Sequence, residues 1–236
     1  MRKTKYVEAT SSKSNVGKTT VLVLTAWRLA DLGYRVHVRD ADPRHESLSH
    51  WLRAIEGIDN LRPIPFTWDR AMTKSDVETI PNNHADADIV FVDVEGGNDE
   101  LAKKAAEFAN LVMIMTSDSA LEWVTVAEAV DVIELGEKRG NNHADKAVLY
   151  TRMTPGATKL VADLADEFLA EQEERGIPEH DRIQVFENFF PRLNVYKQIG
   201  FQHPDEVEGL DIGDGSHIDK IAGELIEALE LEKPGA

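Results

Sequence analysis

Residues 6–27 read YVEATSSKSNVGKTTVLVLTAW, a β-rich run followed by a compact polar loop and an apolar stretch. The first segment, Tyr6–Thr10, predicts a strand, and Lys18-Thr19-Thr20 opens a predicted helix. In a strand–loop–helix unit of this kind, backbone N–H groups and the helix N-terminus converge on an anion. Lysine neutralises that anion and threonine reaches Mg²⁺, so the stretch predicts a phosphate-binding loop.

The loop departs from the strict pattern G-x-x-x-x-G-K-[ST], because Ser12 stands where the first glycine belongs. What remains is Lys13, followed by Gly17-Lys18-Thr19. From these residues alone, a basic turn in front of an ordinary helix is the alternative interpretation. The strand before the loop and the apolar helix after it favour phosphate binding.

Short apolar runs alternate with amphipathic stretches along the chain, which is the signature of parallel βαβ units. Two nearly unbroken runs, Ile89–Val92 and Leu111–Met115, are typical of strands that are covered on both faces. The sequence therefore predicts an α/β fold, a doubly wound and mostly parallel sheet with helices on both faces. The predicted strands are Tyr6–Thr10, Arg35–Arg39, Asp88–Val94, Leu111–Thr116, Ala147–Arg152 and Ile183–Phe186.

Several helix ends are predicted from capping and stop signals. Ser119 with Glu122 fits a capping box, and Thr154-Pro155 fits an N-cap followed by proline at the first helical position. Gly33 and Gly140 follow two of the amphipathic stretches, where glycine is typical of a helix stop.

The chain has 236 residues, of which 42% are hydrophobic and none is cysteine. One domain is expected, and the less regular segment Arg62–His84 predicts a loop-rich excursion with one weak helix. Without cysteine, disulfides, thiolate metal sites, iron–sulfur clusters and a cysteine nucleophile are excluded. The histidines have no metal-ligand spacing, so no structural metal is expected. No run reaches the roughly 18 apolar residues of a membrane span, and we place the protein in the cytoplasm.

Two further elements place carboxylates at the ends of predicted strands. Asp40 and Asp42 lie two residues apart after the second strand, so they face the same side of an extended segment. Asp93 ends the strand Asp88–Val94, and Glu95-Gly96-Gly97 has the backbone freedom of a loop that moves with a γ-phosphate. Carboxylates at this edge can orient a water and hold Mg²⁺, although Asp-Pro is also common in ordinary turns.

These elements resemble those of one family. Lys13–Thr20 resembles the deviant Walker A loop K-G-G-x-G-K-T-T of the ParA/MinD family of P-loop ATPases. Asp40-Ala41-Asp42-Pro43 resembles the D-x-D-P of that family, and Asp93 its Walker B aspartate. The stretch Phe190–Gly200 is similar to the segment after the last strand of ParA-type partition ATPases. The resemblance covers nearly the whole chain and is strongest to the small ParA-type members.

The resemblance implies an Mg²⁺-ATP site. It implies that Lys18 contacts the β- and γ-phosphates, Thr20 the α-phosphate, and Lys13 the nucleotide of a partner subunit. Asp42 would position the attacking water, which makes Lys13, Lys18 and Asp42 the catalytic residues. The implied Mg²⁺ ligands are Thr19, Asp40 and Asp93. The other implied nucleotide contacts are Ser14, Asn15, Val16, Gly17, Thr19, Thr151, Arg152 and Pro191, with Ser14 and Asn15 standing in place of family glycines.

The resemblance also implies partners. It describes an ATPase that forms an ATP-sandwich homodimer, binds DNA non-specifically, and segregates plasmid or chromosomal DNA on the nucleoid. A ParB-like or other adaptor protein would stimulate hydrolysis. The candidate DNA contacts are Arg182, Arg192 and Lys197, and the net charge of −17 requires such basic residues to be locally concentrated. The acidic stretch His217–Leu231 opposes membrane targeting.

Two alternatives remain open. The first is a ParA-like ATPase that positions a protein cargo, such as a chemoreceptor array, a carboxysome or conjugation machinery, and the acidic balance favours it mildly. The second is a metabolic enzyme of the dethiobiotin-synthetase kind, which needs a small-molecule pocket between subunits. Lys13 and the Phe190–Gly200 stretch weigh against the second.

Overall fold

The architecture is an α/β sheet, seen in a computed structural model that describes residues 3–11, 13, 16–59, 61–84, 86–95, 99–154, 156–192, 195–196, 199 and 202–234. The strands are β1 Lys5–Thr10, β2 Val36–Ala41, β3 Thr67–Arg70, β4 Ile89–Val94, β5 Leu111–Thr116, β6 Asp145–Met153, β7 Gln184–Val185 and β8 Phe190–Pro191. They form one sheet in the order β3-β2-β4-β1-β5-β6-β7, with β8 also pairing with β6. Every strand pairing among the described residues is parallel.

Helices cover both faces of this sheet. They are α1 Lys18–Asp31, α2 Ser47–Ile55, α3 Lys74–Glu78, α4 Ile80–Asn83, α5 Asp99–Ala106, α6 Ala120–Gly140, α7 Thr158–Glu174 and α8 His217–Ala228. Val7 of β1 packs with Trp27 of α1 in the core on one face, whereas Val112 of β5 packs with Ile133 of α6 on the other. The predicted doubly wound α/β fold is therefore confirmed. Across the described residues, no helix combines the length and the apolar character that crossing a membrane requires.

The strands follow the apolar runs from which they were predicted. All residues of β4 and β5 are buried, as strands covered on both faces should be. The predicted strand Ile183–Phe186 is reduced to the two residues of β7. The segment Arg62–His84 is more regular than expected, because it contains β3 at the edge of the sheet and the short helices α3 and α4.

Two of the predicted helix starts lack the capping that the sequence predicts. The residue before α6 is Ser119, but its side chain makes no capping hydrogen bond. Helix α7 begins at Thr158, so an N-cap at Thr154 is wrong: the Thr154 backbone N–H donates instead to Asp118 Oδ2 at 2.7 Å. Pro155 lies outside the described residues.

The two glycines predicted as helix stops have different roles. Gly33 follows α1 with φ 93° and its N–H donates to Ala30 O at 2.9 Å, so this prediction is confirmed. Gly140 lies inside α6, and Asn141 ends that helix with φ 47°. A Cβ on Gly140 would lie 2.3 Å from Glu107 O, just beyond α5. Gly140 is therefore a packing residue, because only hydrogen fits between the two segments.

Candidate functional site

The carboxyl edge of the sheet brings the predicted site elements together. Strand β4 lies between β1 and β2, and Asp93 is in register with Ala9 of β1 and with Asp40 of β2. Asp93 therefore lies next to the end of β1, where the chain leaves the sheet for α1, and Asp40 lies one strand further along the sheet. In parallel sheets this edge is where ligands bind.

Two residues at the start of α1 contact the Asp93 carboxylate. Lys18 Nζ forms an ion pair with Asp93 Oδ1, and Thr19 Oγ1 donates a hydrogen bond to Oδ2 at 2.8 Å. Lys18 is 8% exposed and Asp93 is fully buried. The structure thus joins the three residues that the sequence predicted for phosphate and Mg²⁺ from two distant stretches of the chain.

The loop itself is shaped by Gly17, which has φ 91° and precedes the first turn of α1. Glycine adopts this left-handed conformation without strain, and a side chain rarely does. The first turn of α1 contains no acidic residue, and its N-cap, Gly17, has no side chain to accept hydrogen bonds from the first N–H groups. These N–H groups therefore lie at a helix N-terminus suited to an anion. Ser14 and Asn15 lie outside the described residues.

This set of groups fits Mg²⁺ and a polyphosphate. Mg²⁺ prefers oxygen ligands, and the Thr19 hydroxyl and Asp93 carboxylate supply them side by side. The Lys18 ammonium and the α1 N-terminus supply positive charge for phosphate oxygens. Lys13, for which the resemblance implies contact with a partner's nucleotide, is exposed. Its predicted role stays a prediction.

The end of β6 is tied to the same loop. Thr151 is fully buried, and its Oγ1 lies 2.6 Å from Val16 O and 3.0 Å from Thr116 O. Arg152 has φ 56°, and its Cγ lies 3.6 Å from the position that a Cβ on Gly17 would take. Pro191 in β8 pairs with Met153 at the same edge of the sheet. The structure therefore places these three predicted nucleotide contacts near one end of β6, while their contact with the nucleotide stays a prediction.

Both carboxylate oxygens of Asp40 accept hydrogen bonds from other groups of the chain. Its Oδ2 accepts hydrogen bonds from the backbone N–H of Ser49, at 2.9 Å, and from the Ser49 hydroxyl. Its Oδ1 accepts from the Asp42 N–H at 3.1 Å. Burial raises the pKa of this fully buried carboxyl, and the hydrogen bonds from Ser49 oppose that rise. In this arrangement Asp40 fixes the turn between β2 and α2, and its predicted role at Mg²⁺ stays untested.

Asp42 lies in that turn and is held by the residues that follow it. Its Oδ1 accepts from the backbone N–H groups of Arg44, at 3.1 Å, and His45, at 2.9 Å. Its Oδ2 lies 3.3 Å from His45 Nδ1. The Asp42 side chain is 13% exposed, so a water molecule can reach it. These contacts fix its orientation, which the predicted role in positioning a water requires.

One contact of the site joins residues that belong to none of the predicted motif roles. Arg44 Nε lies 2.6 Å from Glu95 Oε1, and the Glu95 side chain is only 1% exposed. Glu95 follows Asp93 by two residues but was interpreted only as the start of a flexible loop. A charged residue directly after a buried apolar strand was the available signal. Gly96 and Gly97 lie outside the described residues.

The predicted DNA contacts do not form one cluster. Arg182 precedes β7, which pairs with the first half of β6, whereas Arg192 follows β8, which pairs with the end of β6. Strand β6 has nine residues, which corresponds to about 30 Å. Arg182 and Arg192 therefore lie toward opposite ends of β6, so the structure does not bring them together, and their contact with DNA stays a prediction. Lys197 lies outside the described residues.

A second group of ionisable side chains lies at the other side of the sheet. Ligand atoms of His37, Asp69 and His84 lie within 4.8 Å of one another. Their distance along the chain explains why no spacing pattern revealed them. Arg39 stands among them, with Nε 2.6 Å from Asp69 Oδ1 and Nη1 3.3 Å from His84 Nε2. A metal ion there would have to displace this guanidinium, and burial lowers the pKa of His84.

Comparison with known proteins places the site in a family. Residues 7–202 match the CobQ/CobB/MinD/ParA nucleotide binding domain. Protein ParA of Rhizobium radiobacter is 30% identical over 149 residues, which span 63% of this chain and 65% of that protein. The matched stretch is thus slightly less than two thirds of that relative.

Two solved structures have a similar fold. The McdA–ATP complex from Cyanothece covers 98% of both chains at 14% identity with a TM-score of 0.65. The septum site-determining protein MinD with Mg-ADP from Pyrococcus horikoshii covers 94% of this chain and 96% of its own at 16% identity, with a TM-score of 0.63. Since the family match covers most of the chain and includes the loop, Lys18, Thr19 and Asp93, the chain belongs to the CobQ/CobB/MinD/ParA family of nucleotide-binding domains.

Proposed function

We propose that this protein is a ParA-type ATPase that binds and hydrolyses Mg²⁺-ATP, dimerises around the nucleotide, and segregates DNA by binding it without sequence preference. The proposal rests on one observation: Lys18 and Thr19 both contact the Asp93 carboxylate. A phosphate-neutralising cation, a hydroxyl and a carboxylate are the groups that ATP hydrolysis at a P-loop uses. The similarity to ParA of Rhizobium radiobacter supports the role in partition.

The residues of the site divide the work as follows. Lys18 leaves Asp93 for the β- and γ-phosphates, since an ammonium–phosphate contact is a strong charge-assisted interaction. Thr19 and Asp93 would hold Mg²⁺, which would neutralise charge on the phosphates. Asp42, oriented by its own turn, accepts a hydrogen bond from the attacking water. Asp40 supports Asp42 indirectly, because its hydrogen bond with the Ser49 N–H fixes the start of α2.

Dimerisation and DNA binding are linked in this proposal. Lys13, in the loop, is exposed. In the dimer it would reach the nucleotide of the second subunit. Dimerisation places two copies of the surface around Arg192 together, and the doubled number of phosphate contacts makes DNA binding dependent on ATP. Arg182 is not part of this surface because it lies toward the other end of the sheet. A ParB-like adaptor would bind the dimer and stimulate hydrolysis.

Positioning of a protein cargo is the second candidate function. Two observations speak for it: the net charge of −17, which repels DNA, and the separation of Arg182 from Arg192. The nucleotide chemistry is the same in both candidates. They differ in whether the ATP dimer binds DNA at all.

One titration distinguishes these functions. Random duplex DNA is titrated with the protein in ATP, ADP or no nucleotide at two salt concentrations, and light scattering measures the mass in each state. We expect a dimer and a DNA shift with ATP only, and a loss of both in Lys18→Ala. Arg192→Glu should weaken the shift, whereas Arg182→Glu makes the same charge change at the other end and serves as the control.

A different experimental result would refute each part of the proposal. ATP binding by Lys18→Ala at wild-type affinity would move the nucleotide site away from this loop. Equal masses in ATP and ADP would refute the dimer. If ATP gives a dimer that produces no DNA shift even at low salt, segregation is refuted and the cargo-positioning candidate takes its place.

A further inference from the structure

An ion pair connects the two loops at the carboxyl edge of β2 and β4. Arg44, in the turn after β2, places Nε 2.6 Å from Oε1 of Glu95, which directly follows β4. The partners differ in environment, because the Arg44 side chain is 71% exposed and that of Glu95 is 1% exposed. A carboxylate so deeply buried is strongly unfavourable without a cation nearby. The ion pair with Glu95 therefore restrains the Arg44 side chain, although most of that side chain is in solvent.

The same arginine is bonded to Asp42 through its backbone. The Arg44 N–H donates to Asp42 Oδ1 at 3.1 Å. An unbroken series of contacts thus runs from the Glu95 carboxylate through the side chain and the N–H of Arg44 to the Asp42 carboxylate. Carboxylate oxygens of Asp42 and Glu95 and a ring nitrogen of His45 lie within 4.8 Å of one another.

The anchor of this series is itself fixed to the sheet. The Glu95 backbone N–H donates to Ala41 O at 3.3 Å, which continues the pairing of β2 with β4 beyond the last strand residue. Two residues earlier in the chain, Asp93 contacts Lys18 and Thr19. Glu95 therefore has a defined position relative to both the phosphate-binding side chains and the turn that holds Asp42.

We propose that Glu95 is a positioning residue for ATP hydrolysis, acting through Arg44 on the carboxylate of Asp42. This inference rests on the proposed ATPase function and assigns a role to two residues outside the phosphate-binding loop. A carboxylate that orients a water contributes in the transition state more than in the ground state. Loss of the anchor should therefore slow turnover and leave ATP binding nearly unchanged.

Steady-state hydrolysis and calorimetry of ATP binding test the inference on the full chain. We expect Glu95→Gln and Arg44→Ala each to lower kcat by about 10- to 100-fold, the range that misplacement of a catalytic group produces. KM and the ATP dissociation constant should stay close to wild type. The double variant should be no slower than the slower single variant, because both changes break the same series of contacts.

Two further variants separate positioning from general disturbance. Arg44→Lys keeps a cation that can reach Glu95, so it should recover part of the turnover lost in Arg44→Ala. Arg53→Ala removes another exposed arginine of the neighbouring helix α2, one that stacks over Trp68 at 6.0 Å, and should hydrolyse ATP like wild type. Because the Arg44 side chain is largely in solvent, Arg44→Ala is expected to fold even if Glu95→Gln does not.

Several results would overturn the inference. They are wild-type kcat in Arg44→Ala, losses that multiply in the double variant, no recovery in Arg44→Lys, or an ATP affinity that falls as much as kcat. Asp42→Ala distinguishes this failure from failure of the proposed function. If Asp42→Ala blocks hydrolysis and Arg44→Ala does not, only the role of Glu95 is wrong. If Asp42→Ala hydrolyses ATP normally, or the wild type does not hydrolyse it, the proposed function itself is wrong.

Discussion

Helices α5 and α6 approach each other so closely that one added methyl group should destabilise the protein. A Cβ on Gly136 would lie 2.2 Å from Lys103 O and 2.8 Å from Lys103 Cα. Both are backbone atoms, which cannot rotate away as the end of a side chain can. Ordinary contact begins near 3.4 Å, so Gly136→Ala requires the helices to separate by about 1 Å.

The size of the effect follows from two opposing contributions. Overpacking of this degree costs about 3 kcal/mol, and the higher helix propensity of alanine returns about 1 kcal/mol. The net loss is thus about 2 kcal/mol, which for a chain of this size lowers Tm by about 4–8 °C.

Gly223 provides the matched control. It lies inside α8, and a Cβ there would meet nothing within 4 Å. Gly223→Ala should therefore raise the free energy of unfolding by about 1 kcal/mol through helix propensity alone. Thermal and urea unfolding of both variants measure the difference. If both substitutions change stability in the same direction by the same amount, close packing of α5 on α6 is not what requires glycine at position 136.

Two further predictions concern buried polar groups. Glu8 is 1% exposed between Val92 and Val112, neither carboxylate oxygen has a hydrogen-bond partner among the described residues, and burial raises its pKa well above 4.5. The folded state holds the Glu8 proton more tightly than the unfolded state, so the stabilisation that comes from protonated Glu8 is lost as pH rises from about 4.5 through the folded pKa. Urea unfolding should therefore show the stability of Glu8→Gln increasing relative to wild type between about pH 5 and pH 8. A difference that does not change with pH would contradict this reasoning. Thr151→Val removes the hydroxyl that donates to Val16 O, so the free energy of unfolding should fall by about 1–3 kcal/mol. Calorimetry should also show weaker ATP binding. An unchanged ATP affinity would mean that this contact does not shape the loop.

The central strands could be predicted because buried strands consist of nearly unbroken runs of apolar residues. In β4 and β5 every residue is buried, so nearly every residue is apolar. Strand β3 lies at the edge of the sheet, and its four residues Thr67–Arg70 are exposed or half-buried. It therefore contains no apolar run and was interpreted as a loop. Its place in the sheet depends on pairing with β2, a strand some distance away along the chain.

The two glycines predicted as helix stops show that a local pattern does not reveal contacts with distant residues. Gly33 acts locally, because its positive φ ends α1 within its own turn, and the sequence predicted it. Gly140 acts through a contact with Glu107, which is distant along the chain. A helix-stop pattern cannot distinguish these roles, since both need a residue without a side chain but for different reasons.

The sequence by itself determined which side chains meet at the carboxyl edge of the sheet. Lys18 and Thr19 lie next to each other at the start of α1, and Asp93 ends an apolar strand, so strand order and residue type were enough to predict that they meet. Only the tertiary structure decided what surrounds them. It directs Asp40 to Ser49, joins Arg44 to Glu95, and places Arg182 and Arg192 toward opposite ends of β6. The physical reason is that local pattern fixes the backbone path of an element, whereas the partner of a charged side chain depends on which distant element packs beside it.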